Sequence, residues 1–241
     1  MVMLLLILSL APVAALLAYI YFRDRYEKEP VALILKGFLA GAALMIPCMP
    51  VETWLSRFCT GCATIPFALY TGFIVAGTTE ELLKFLMIFL LFFRNRNFNE
   101  RYDGIVYAVS VSLGFAAIEN VMYVFNSGIP TGLIRAFTAV PAHAFFGIVM
   151  GYYFGLARFV NGYRKSFLLK AFLFPMILHG LYDFILFSQN PWILIGFVPL
   201  MIILWRVGLN RIKKLQQASA FNPLSENFLE LPAEEEEQQE S

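Results

Sequence analysis

Between Tyr70 and Phe93 the chain is apolar for long enough to cross a bilayer, yet the middle of that run reads Gly77-Thr78-Thr79-Glu80-Glu81-Leu82-Leu83-Lys84. A span needs about 20 largely apolar residues. A charge near its centre costs roughly 2.5–3.5 kcal/mol on insertion scales, so such groups face a bundle interior and mark function. Two adjacent carboxylates with a lysine one turn on therefore demand neighbouring helices that enclose them.

The rest of the chain supplies those neighbours. Of its 241 residues, 59% are hydrophobic and 15% charged, whereas soluble domains carry about a quarter charged residues. Seven apolar segments follow one another, at approximately 3–22, 31–51, 68–93, 104–125, 138–158, 167–187 and 191–206. They are too long and continuous for barrel strands, which leaves helices as the way to satisfy backbone groups in lipid. The expected fold is an all-α polytopic transmembrane bundle of about seven spans. Residues 1–214 form one membrane domain, with the motif-bearing core at 77–185. Residues 215–241 form an acidic cytoplasmic tail, Glu-rich and without a basic residue after Lys214, which reads as disordered.

Charge placement sets the orientation. Alternate connections hold Arg23, Arg25 and Lys28; Arg94, Arg96 and Arg101; Arg158, Arg164, Lys165 and Lys170; and Arg206, Arg211, Lys213 and Lys214. The other connections hold only Arg57 and Arg135, fourteen against two. That bias puts the N-terminus outside and the C-terminus in the cytoplasm. The first segment, with three basic residues after it and none before, fits an N-out anchor better than a cleaved signal peptide. Lipid is the implied environment, and nothing suggests a nucleic-acid partner.

Within the segments, local signals differ. Pro47 and Pro50 predict a kinked or unwound outer end for the second. Gly72, Ala76 and Glu80 share an α-helical stripe in the third. Lys84, at i+4, pairs with Glu80, while Glu81 is rotated by about 100° and points elsewhere. The fifth carries Gly147, Gly151 and Gly155 at i+4 spacing, a small-residue face for close helix approach. Residues 131–137 are read as a short interfacial helix. Cys59 and Cys62 read as a loop-stiffening disulfide rather than a redox pair, and Cys48 as packing.

The ionisable residues well inside segments are Glu80, Glu81, Lys84, Glu119 (followed by Asn120), His143, His179 and Asp183; both histidines of the chain are among them. At about 1.5 Å per residue their depths converge on the middle to outer part of the bilayer, which predicts one polar cavity opening outward. His179 and Asp183 lie one turn apart, so the aspartate can orient the imidazole. A carboxylate that takes a proton from water, beside imidazole or amide groups that stabilise an oxyanion, suits hydrolysis. Neither Gly-x-Ser-x-Gly nor His-Glu-x-x-His is present, although Glu and His are competent zinc ligands and a zinc-dependent reading stays open. A proton-coupled transporter would use similar groups but predicts repeated halves, and no internal repeat is visible.

At Glu80-Glu81-Leu82-Leu83-Lys84, Phe115-Ala116-Ala117-Ile118-Glu119-Asn120, His143-Ala144-Phe145-Phe146-Gly147 and His179-Gly180-Leu181-Tyr182-Asp183, the chain resembles the PrsW family of bacterial intramembrane proteases, related to the CAAX prenyl endopeptidases and Abi proteins. The motifs occur in family order over about residues 77–185. Lys84 stands where the broader superfamily has arginine, and Glu119-Asn120 where CAAX enzymes carry histidine. The resemblance implies a glutamate-dependent endopeptidase of the bacterial inner membrane that needs no metal or other cofactor. Its implied substrate is a single-pass anti-sigma factor, given its first cut on the outer side. Carried over residue by residue, Glu80 or Glu81 is the base for water and His143 and His179 orient water or hold the oxyanion. Lys84, Glu119, Asn120 and Asp183 support them.

Overall fold

The computed structural model describes residues 1–219, 221 and 222, and among these every regular element is a helix, with no strand. Helix α1 spans Val2–Arg23, α2 Val31–Ala43 and α3 Met45–Ser56. A 3-10 turn at Arg57–Cys59 leads through a loop closed by the Cys59–Cys62 disulfide to α4, Thr64–Leu69. A π-helical stretch, Tyr70–Thr78, passes directly into α5, Thr79–Leu91. Then follow α6 (Asp103–Phe137), α7 (Ala139–Phe159), α8 (Arg164–Phe187), the single turn α9 (Pro191–Leu194) and α10 (Phe197–Gln217).

All seven apolar segments fall in helices, but the helices do not divide as the sequence does. Five stretches are long and apolar enough to cross a membrane: Val2–Arg23, Val31–Cys59, Asp103–Phe159, Arg164–Phe187 and Pro191–Gln217. The 57 residues of Asp103–Phe159 hold two of the apolar segments, with turns at Gly128 (φ 80°) and Thr138 between them. Only glycine takes that φ without strain, so the chain reverses there. The expected helix at 131–137 begins soon after this turn. The Glu80 segment is shared among α4, the π stretch and α5.

Proline explains a second difference. The chain is not unwound at Pro47 and Pro50; both sit within α3 in continuous helix. The break comes earlier, at Leu44 between α2 and α3. Pro47 lacks an N–H and its ring crowds the carbonyl four residues back, at Ala43, which places the discontinuity there. Pro30 caps α2, its carbonyl accepting from Leu33 N–H at 2.8 Å and Ile34 N–H at 3.3 Å.

The core lies between α6 and α7. Residues 103–117 and 139–157 are buried all the way round, as expected of central helices rather than amphipathic ones. The glycine stripe of α7 makes this possible. A Cβ on Gly151 would lie 2.6 Å from Ile105 Cα, and Gly155 meets the backbone of Arg101 as closely. Around this pair, α1 and α2 pack on α6, and α8 and α10 on α7. Helix α10 shows the outer layer's pattern: Leu200, Leu204, Gly208, Ile212 and Leu215 face inward, while Val198, Ile202, Ile203 and Trp205 are exposed, as lipid-facing residues would be. Residues 215–217, which the sequence reading assigned to the tail, complete α10; the acidic remainder lies outside the described residues.

Candidate active site

Lys84 is the hub of the buried polar group. It is fully buried, and its Nζ donates to Glu80 Oε2 at 3.0 Å and Glu81 Oε1 at 2.8 Å, with His143 Nδ1 at 3.3 Å. An ammonium has three N–H donors and no acceptor, so three acceptors complete it. This corrects the expectation that Lys84 serves Glu80 alone: the i+3 residue lies on the same helical face as i+4, and Glu81 is the closer partner. The Phe115 ring, 4.3 Å from Nζ, covers the remaining side of the charge.

The hub also fixes the imidazoles. With Nδ1 of His143 accepting from Lys84, its Nε2–H is left to donate to Glu119 Oε2 at 2.8 Å. His143 is further anchored by Ser112 Oγ, which donates to its carbonyl at 2.6 Å. His179 Nδ1 lies 2.9 Å from Glu81 Oε1 and its Nε2 lies 3.5 Å from Asp183 Oδ2. Both ring nitrogens thus face carboxylates, an arrangement that a doubly protonated imidazolium satisfies. The expected His179–Asp183 contact is present, with Glu81 as the tighter partner. Phe146 stacks on the His179 ring at 4.9 Å, and the two histidine rings meet edge to face at 5.3 Å.

Glu80, Glu119, His143, His179 and Asp183 line one cavity of about 560 Å³. Glu80 is on the wall; Glu81 is not, being fully buried behind it, with Oε2 lacking a hydrogen-bond partner among the described residues. The rotation between adjacent helical positions thus separates the two acids into one facing the void and one facing the protein. Asn120 stands outside the cavity: its Nδ2 donates to Ser9 O at 2.9 Å and its Oδ1 accepts from Arg135 Nε at 2.8 Å. It joins α1 to the site rather than entering it, so α1 is a packed element as well as an anchor.

The π-helical stretch shifts the register of the third segment. Its spacing of five aligns Gly72 with Gly77, and both meet α8, where a Cβ would come within 2.8 Å of Gly180 O and 3.0 Å of Met176 O respectively. Thr78 Oγ1 closes the same spacing by donating to Phe73 O at 2.7 Å. Gly72 is therefore an α8 contact and not part of a stripe leading to Glu80; Ala76 and Val75 reach the cavity instead. Such π insertions are frequent at functional sites.

Two cavity residues escaped the sequence reading. Arg135 forms an ion pair with Glu119 Oε2 at 2.8 Å and lies 4.1 Å over the Tyr123 ring. Glu52, on α3, lines the same cavity. The signal for Arg135 was its isolation: apart from Arg57 it is the only basic residue in its set of connections.

A sequence profile described as PrsW family intramembrane metalloprotease matches residues 29–207. The chain belongs to the PrsW family. It is 37% identical over 212 residues to "Protease PrsW" of Bacillus subtilis (strain 168), covering 88% of this chain and 95% of that one. To "Protease PrsW" of Geobacillus kaustophilus (strain HTA426) it is 38% identical over 208 residues, covering 86% and 89%. To that of Clostridioides difficile (strain 630) it is 35% identical over 221 residues, covering 88% and 92%. No solved structure matches. A PrsW protein is a membrane peptidase, a hydrolase embedded among apolar helices.

The family description implies a metal, and one ligand atom each of Glu80, Glu81, His143 and His179 lies within 4.8 Å of the others. The donor types suit zinc. The Lys84 ammonium, however, already stands among three of those four side chains, at 2.8–3.3 Å. A dication there would face a buried like charge and compete for the same lone pairs. As arranged, the residues do not fit a metal.

Proposed function

We propose that this PrsW protein cuts single-pass membrane proteins by glutamate-activated water, with Glu80 as the general base. The observation that carries this assignment is that Glu80 alone of the two adjacent acids lines the cavity. Lys84 holds the Glu80 carboxylate and takes its charge balance from Glu81. A water beside Glu80 gives it a proton as the oxygen attacks the scissile carbonyl carbon. The oxyanion that forms meets His179 Nε2–H, the ring nitrogen with the longer bond to its carboxylate. The proton on Glu80 then passes to the amide nitrogen as the C–N bond breaks. His143, held between Lys84 and Glu119, keeps the lysine and hence Glu80 in place.

The cavity is lined by residues near the ends of α3, α6 and α8, on the side of the Cys59–Cys62 loop. With the chain's charge bias, that side is the outer one, and the protein makes seven passes with its N-terminus outside. It sits in a bacterial inner membrane, as the bacterial sources of its relatives support. The resemblance adds the substrate: an anti-sigma factor receiving its first cut near the outer boundary. The shared motif order also supports kinship with the CAAX endopeptidases.

Purified protein in liposomes is expected to cut a single-pass substrate near its outer boundary. Activity should survive a chelator, and Glu80→Gln should lose about 10²–10⁴-fold, the scale of general-base catalysis. Full activity in a folded Glu80→Ala/Glu81→Ala variant refutes the assignment, and loss to a chelator restored by zinc transfers it to a metalloprotease.

A further inference from the structure

The opposite end of α6 carries a second acidic group that the proteolytic site does not use. Asp103 opens the helix and is fully buried; its Oδ2 accepts from the backbone N–H of Asn99 and of Glu100, each at 2.8 Å. Glu29, from the loop between α1 and α2, is 1% exposed, and its Oε2 accepts from the Tyr107 hydroxyl. Glu27 of the same loop is partly exposed. One carboxylate oxygen from each of the three lies within 4.8 Å of the others.

Each also has an oxygen that receives no hydrogen bond from a donor among the described residues. Glu27 Oε2, Glu29 Oε1 and Asp103 Oδ1 are buried with no hydrogen-bond donor among the described residues. Neither Lys28 nor Arg158, whose charge does reach Asp103, donates a hydrogen bond to these oxygens. Lys28 lies over the Tyr21 ring at 4.8 Å, and Arg158 gives its hydrogen bonds to the carbonyls of Phe93 and Asn95. Buried carboxylates without donors are expensive unless paired or bound to a metal.

We propose that Glu27, Glu29 and Asp103 hold a hard divalent cation, magnesium or calcium. The three offer oxygen only, the donor such ions prefer, and the partly exposed Glu27 leaves room for coordinating water. The ion would tie the α1–α2 loop to the first turn of α6 and so fasten α1, α2 and the central helix together at one end. It is separate from the proteolytic site: Asp103 and Glu119 lie on one helix, 16 positions and hence about 24 Å apart.

The test uses the full chain in detergent, stripped with a chelator and titrated calorimetrically with calcium chloride and, separately, magnesium chloride. One saturable site per chain is expected with at least one of the two ions, together with a thermal midpoint that rises with its concentration. Glu27→Gln should weaken binding at least about tenfold, Asp103→Asn should abolish it, and Glu80→Ala/Glu81→Ala should leave it intact. If Asp103→Asn does not fold, Glu27→Gln carries the test. No binding of either ion up to about 10 mM, beyond the range of weak calcium modules, overturns the proposal. So does equal binding by wild type and Glu27→Gln. A midpoint that rises on acidification yet ignores both ions shows that protons cap these oxygens, and also overturns it.

Discussion

Replacing Lys84 by methionine tests the hub directly. The substitution keeps much of the volume but removes the charge and all three hydrogen bonds, to Glu80 Oε2, Glu81 Oε1 and His143 Nδ1. Removing one partner of a buried ion pair costs about 3–5 kcal/mol because the other charge is left uncompensated. The carboxylates have one escape, which is to bind a proton. At pH 7 an ordinary glutamate is about 2.7 pH units above its pKa, so protonating one costs about 3.7 kcal/mol at 1.36 per unit. The two routes agree, and Lys84→Met should lose about 3–4 kcal/mol at neutral pH. The deficit should shrink by about 1.4 kcal/mol for each unit of acidification between pH 7 and pH 5, since the variant takes up a proton that the wild type does not. Equilibrium unfolding in mixed micelles, followed by circular dichroism across that range, gives both quantities. Adding Glu81→Gln removes a second charge and should recover part of the loss. A deficit under about 1 kcal/mol, or one flat in pH, would show that the ammonium is not what compensates these acids.

Three further outcomes follow from particular contacts. Arg135→Gln should fold normally but lower peptidase activity, because Glu119 loses its ion pair and holds His143 less firmly; unchanged activity would make Arg135 a surface contact only. Glu81→Gln should retain more activity than Glu80→Gln while losing more stability, because Glu81 is fully buried and binds both Lys84 and His179 whereas Glu80 faces the cavity. The reverse order would move the base to Glu81. Gly151→Val should prevent stable assembly of α6 on α7, since its first added carbon falls 2.6 Å from Ile105 Cα. Gly61→Ala, where nothing lies within 4 Å but φ is +86°, should be mild by comparison, read as recovery of folded protein in detergent.

Much of the site was visible before any tertiary contact was known, because burying a charge in lipid leaves a conspicuous mark in an apolar run. Glu80, Glu81, Glu119, His143, His179 and Asp183 were all found in that way, and they do converge. Arg135 and Glu52 were not, since they lie near segment ends where a charge is unremarkable. The glycine stripe of α7 was readable because its spacing matches an α-helix. Gly72 falls off the stripe expected with Ala76 and Glu80 because a π-helix repeats at a different period, and nothing local in Tyr70–Thr78 announces one.

By itself, then, the chain determined its class, its apolar segments and the identity of the polar residues that must meet. Hydrophobic length, charge cost and ordered motifs are properties of a one-dimensional string. Tertiary structure alone decided how those residues are arranged. Which acid of Glu80-Glu81 reaches the cavity depends on helical phase, and a π insertion resets that phase just upstream. Whether Lys84 serves one acid or three acceptors depends on where α7 presents His143. The contacts joining Glu119 to Arg135, Asn120 to Ser9, and Glu29 to Tyr107 link residues 16, 111 and 78 positions apart. No periodicity relates such positions; only packing brings them together.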